Sequence, residues 1–107
     1  MGGRSRLAVF GALTLSLSET VFAGDRELGQ HLSSECVTCH QLSGRVSGGV
    51  PQIVGWPEDQ FVAVMTAYKT KQLDHPVMQA IAGRLAEGDI AALAAYFASI
   101  SPEQRNK

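Results

Sequence analysis

The 107-residue chain holds two cysteines, and they stand three positions apart with a histidine directly behind them: Cys36-Val37-Thr38-Cys39-His40. No other feature limits the possible folds as tightly. Two thiols are too few to staple a disulfide-rich scaffold, and a bond between these two would close a loop too short to stabilise much. A chain of this size buries only a modest share of its surface, and small domains often borrow stability from a bound group. The thiol pair and its histidine are where such a group would attach.

The segment before this pattern reads as a processing signal. Arg4 and Arg6 precede an apolar run, Leu7 to Leu17, relieved only by Gly11, Thr14 and Ser16, and Val21-Phe22-Ala23 offers a small-x-small cleavage pattern before Gly24. Residues 1–23 are therefore predicted to be a secretory signal peptide, and 24–107 a single exported, periplasmic domain. The apolar run falls short of the roughly 18 residues a membrane anchor needs, and no later segment could span a membrane. The whole chain carries 9 basic and 10 acidic residues, and loss of Arg4, Arg6 and Glu19 moves its net charge from −1 to −2. That balance excludes a nucleic-acid binder working by bulk charge, while 45% apolar and 18% charged residues exclude a disordered chain.

Hydrophobic spacing predicts an all-α fold. Residues 26–35 place Leu28 and Leu32 on one face and lead straight into Cys36. From 58 to 70, Phe61, Val64, Met65 and Tyr68 follow the i, i+3, i+4, i+7 pattern of an amphipathic helix opened by Pro57. Residues 77–86 carry Met78, Ile81, Ala82 and Leu85 on one stripe, and 89–100 carry Ile90, Leu93, Ala94 and Phe97 on another, closed by Pro102. No stretch alternates with a period of two. The connection from Ser43 to Pro57 is 15 residues long, six of them Gly or Pro. So long a loop in so short a domain is unusual unless it does something, such as wrapping a ligand.

C-x-x-C-H is the pattern of covalent c-type haem attachment. Two thiols three residues apart can each add across a haem vinyl group, while the next residue brings an imidazole nitrogen to the iron. A redox-active thioredoxin-like pair would need a βαβ setting that this chain lacks. A Cys2His2 zinc site would have to recruit two of His31, His40 and His75, and adjacent Cys39 and His40 do not match zinc-ligand spacing. The single C-x-x-C-H excludes a multihaem chain.

From about Gly24 to Ser99 the chain resembles the small class I cytochromes c. The resemblance rests on Cys36-Val37-Thr38-Cys39-His40, Gly29, Pro51-Gln52-Ile53-Val54-Gly55, Met78 and the ending Asp89-Ile90-Ala91-Ala92-Leu93-Ala94-Ala95-Tyr96-Phe97-Ala98. Within that family, Met65-Thr66-Ala67-Tyr68-Lys69-Thr70 and His75-Pro76-Val77-Met78 look most like the haem subunit of flavocytochrome c sulfide dehydrogenases and related monohaem cytochromes. The resemblance implies helices wrapped around one haem c bound through Cys36 and Cys39, with His40 on the iron. It implies that Gly29 lets the first helix approach the last near Tyr96 and Phe97. It also implies that the Pro51 carbonyl holds the other ring nitrogen of His40. Relatives usually cap the last helix with Ser or Thr; here that place is Ala86, leaving Asp89 to complement the helix dipole.

For the second axial position the candidates are Met65, Met78, His31 and His75. Met78 lies well beyond His40 after a polar loop, as the distal methionine does in the family, whereas Met65 falls in the apolar stripe and reads as core. His31 reads as a solvated position, and His75 is the serious rival. An apolar shell of Leu32, Ile53, Trp56, Phe61, Ile81, Leu85, Leu93 and Phe97 is expected around the haem, with one edge near the surface. The implied function is one-electron transfer with His40 and Met78 ligating, either as the cytochrome subunit of a sulfide-oxidising flavoprotein or as a free shuttle to a terminal oxidase. A haem peroxidase or gas sensor, with an open sixth position, is the competing class.

Overall fold

The computed structural model describes residues 2–3, 11–12 and 24–102; most of the segment read as a signal peptide lies outside the described residues. Among the described residues there are four α-helices and no strand, so the fold is all-α. They are α1 (Arg26–Leu32), α2 (Glu58–Lys69), α3 (Pro76–Gly83) and α4 (Glu87–Ala98), with a 3-10 turn, Ser33–Glu35, continuing α1. No helix of the described residues is long and apolar enough to cross a membrane.

Local chemistry marks the helix starts, with side chains meeting free N–H groups at some of them and none doing so at α2. Asp25 caps α1, its Oδ1 accepting from the N–H groups of Glu27 and Leu28 at 3.0 and 3.2 Å. Pro57 stands just outside α2 and offers its carbonyl to the Phe61 N–H. The last helix starts two residues earlier than its apolar stripe indicates, because Asp89 reaches back to accept from the Ala86 N–H at 2.9 Å. This bond is the carboxylate half of a capping box and makes up for an Ala at the cap position. α3 stops at Gly83, earlier than the expected 86. Residues 84 and 85 turn instead, and the Leu85 carbonyl accepts from the Lys69 ammonium of α2.

α1 packs against α4, and α2 packs against both α3 and α4. The first contact depends on Gly29: a Cβ there would run into the Ala92 carbonyl and stand 2.7 Å from the Tyr96 Cβ. Phe97 and Leu93 of α4, wholly buried, centre the core, with the Phe61 ring 5.7 Å from that of Phe97. Val54 joins them from the long loop, and Gly55 donates to the Phe97 carbonyl at 2.9 Å. The loop is thereby pinned to the end of α4. It contains no regular element, only an isolated bridge between Ser47 and Val50.

α2 ends in a Schellman motif, with Gln72 donating to Ala67 and Lys71 to Tyr68. The left-handed position, ordinarily glycine, is Lys71 at φ 62°. Lys71→Gly is expected to stabilise the fold by about 0.5 to 1 kcal/mol. Gly29→Ala is expected to cost about 1 to 3 kcal/mol, because backbone must move to admit the new carbon. Urea unfolding midpoints at constant slope measure both.

Candidate functional site

After the 3-10 turn the chain makes one further turn that carries the motif. The His40 N–H donates to the Cys36 carbonyl at 2.8 Å, and the Cys39 N–H donates to the same oxygen at 3.1 Å. Residues three and four apart across a helical turn share a face. Cys36, Cys39 and His40 accordingly line one cavity of about 370 Å³. Both cysteines are free thiols, Cys36 partly buried and Cys39 exposed.

His40 is buried, and its Nδ1 donates to the Pro51 carbonyl at 2.7 Å. A proton on Nδ1 leaves the Nε2 lone pair available to a metal, and a carbonyl partner fixes the ring's rotation. The loop contributes Gly49, Val50, Pro51, Ile53 and Trp56 to the cavity wall. α2 contributes Phe61, Val64, Met65 and Tyr68; His75, Val77 and Met78 complete the lining from the α3 side. Apart from the motif, the wall's hydrogen-bonding side chains are the Trp56 indole, the Tyr68 hydroxyl and the His75 imidazole.

Of the expected residues, the structure brings Cys36, Cys39, His40, Pro51, Ile53, Trp56 and Met78 to this cavity, together with Met65 and His75. His31 is exposed in the last turn of α1 and is not part of the wall. Of the apolar residues expected around a haem, Ile53, Trp56 and Phe61 line the cavity, and Leu32, Ile81, Leu85, Leu93 and Phe97 are outside its wall. Leu32 and Leu85 pack partly buried against the core cluster, in which Leu93 and Phe97 are fully buried. The sequence does not mark Val50, Val64, Tyr68 and Val77 as cavity residues. The α2 stripe did signal Val64 and Tyr68, but a core stripe and a cavity wall have the same period.

The donor set suits a haem: two thiols and a nitrogen ligand on one turn, a thioether sulfur in the same cavity, and otherwise mostly apolar walls. Among the described residues no group of three or more His, Cys, Asp or Glu side chains is arranged to hold a metal ion by itself. In comparisons with known proteins, no family model matches the chain and no curated protein matches it.

Burial, and secondarily the neighbouring Glu35 carboxylate, push the Cys36 thiol from its ordinary 9.0 up to about 11. The thiolate is the reactive form. At pH 8, chain whose thiols are free is therefore expected to be alkylated first at Cys39. Cys36 should lag and then accelerate as the pH climbs toward 11. Peptide mass mapping against time reads the order, and equal rates at pH 8 would contradict it.

Proposed function

We propose that this chain is a monohaem c-type cytochrome of the class I fold, an exported electron carrier working in the periplasm. The observation that carries the reading is the convergence of Cys36, Cys39, His40 and Met78 on one apolar cavity, with His40 held through Nδ1 by Pro51. Bound there, a haem would supply a one-electron Fe(II)/Fe(III) couple. Cys36 and Cys39 would each add across a vinyl group, the sulfur bonding to one carbon and the proton passing to the next, with no net oxidation. His40 would ligate through Nε2, its basicity raised by the Pro51 carbonyl. Met78 would offer its sulfur to the same iron. Ile53, Trp56 and Phe61 would exclude water, which helps set the potential. His40 and Met78 would both be taken up in holding the iron, which would leave no protein-free place to activate a substrate and favours a carrier over a peroxidase or gas sensor.

The partner we propose is a flavoprotein that oxidises sulfide, with this chain as its cytochrome subunit; the resemblance in residues 65–78 supports it. A weakly acidic mature chain steers partners only mildly, so recognition would rest on apolar surface at the cavity mouth. Val77, which lines the cavity while 59% exposed, is part of such a surface. Co-elution with a flavin-containing chain, and haem reduction by sulfide only in its presence, support the subunit. Rapid reduction of an oxidase by the isolated chain supports the shuttle.

Absorption spectra of the reduced and oxidised protein test the carrier reading. Wild type is expected to show a low-spin c-type spectrum with the far-red band of methionine ligation. Met78→Ala is expected to abolish that band, lower the potential and admit cyanide or carbon monoxide. Met65→Ala is expected to keep it and to cost about 2 to 5 kcal/mol of stability, as a buried side chain. Loss of the band in Met65→Ala alone would reverse the assignment. His40→Ala is expected to prevent stable holoprotein.

A further inference from the structure

His75 lines the cavity three residues before Met78, so it competes by position for the role of iron ligand. Its hydrogen bonds give it different work. α3 opens with Pro76 at its first position, a residue pre-set for a helix start and lacking an N–H. His75 is the N-cap, in extended backbone at φ −154° and ψ 108°. Its Nδ1 accepts from the Met78 N–H at 3.3 Å, the bond that Ser, Asp or Asn makes at an ordinary N-cap.

That bond fixes the tautomer. A neutral imidazole with Nδ1 accepting carries its proton on Nε2, and a protonated Nε2 has no lone pair for a metal. The ring is further held edge-on against Tyr68, centroids 6.4 Å apart and planes at 81°. Backbone support comes from Gln79, whose N–H donates to the His75 carbonyl at 2.8 Å and whose side-chain amide donates to the Leu73 carbonyl at 2.9 Å.

The geometry points to His75 as the positioning residue for Met78: it caps α3 through the Met78 amide and so holds the methionine at the cavity. The inference rests on the haem reading for its consequence at iron, and on α3 alone for the cap itself. It also accounts for a histidine at a position where Asn or Ser would cap as well, since Asn or Ser would forgo the packing against Tyr68.

The test compares purified wild-type protein with His75→Ala and His75→Asn. Loss of an N-cap typically weakens a helix start enough to speed exchange of its first amides roughly 2- to 30-fold. His75→Ala is expected to accelerate hydrogen exchange at the Met78 amide by that order. It is also expected to weaken the far-red methionine band and to lower the cyanide concentration that half-displaces Met78 by a similar factor. His75→Asn, which keeps the cap but not the imidazole, is expected to restore all three. Unchanged Met78 exchange in His75→Ala overturns the proposal. So does an axial spectrum altered equally in the Ala and Asn variants, which would make the imidazole itself the ligand. Amide exchange does not depend on iron, so the positioning role is decided even if the chain carries no haem, and that failure is read separately from the protein's mass.

Discussion

The 2.7 Å hydrogen bond from His40 to the Pro51 carbonyl ties together the two parts of the chain on which the cavity depends. One is the helical turn that carries Cys36, Cys39 and His40; the other is the long loop that lines the cavity beside them. A single hydrogen bond of this kind contributes only about 1 kcal/mol net, but a buried imidazole left without a partner costs more. The loop can supply that partner only because it is itself anchored. Val54 is inserted beside Phe97, and Gly55 donates to the Phe97 carbonyl, so the end of α4 determines where Pro51 stands. α4 in turn is seated against α1 through the bare backbone at Gly29. Orientation of one imidazole thus depends on packing at the far side of the fold.

α2 serves both sides of this arrangement. Phe61 and Met65 are buried in the core and also face the cavity, so one apolar stripe meets α4 behind and the site in front. A domain this small has few residues to give to a core, and a group filling an apolar cavity of about 370 Å³ would add buried surface the chain alone lacks. A haem bound there would be part of what holds the helices together. The motif turn, the loop and α3 are the elements it would join.

Much of this was legible in the residues, for identifiable reasons. C-x-x-C-H carries its geometry in its spacing, since positions three and four apart share a face of any helical turn. The α2 stripe was long and regular enough to place that helix to within a residue of its observed end. Helix ends elsewhere were less readable, because they depend on contacts distant in sequence or on side chains acting as caps. α3 is shorter than its stripe, its end meeting Lys69 of another helix. α4 is displaced by a carboxylate reaching back three residues. Apolar periodicity says that a residue faces inward, not whether it meets a ligand or another helix, so the stripes alone do not separate cavity wall from helix packing. The type and position of His75 allow a ligand role; its use of Nδ1 as a cap depends on a backbone geometry no spacing rule records.

The mass of the denatured, purified chain tests the central claim most directly. Thioether bonds survive denaturation, so the account predicts one haem retained on the peptide spanning Cys36 and Cys39, no free thiol, and an N-terminus at Gly24. A chain recovered at the mass of its amino acids alone, with both cysteines open to alkylation, would contradict it.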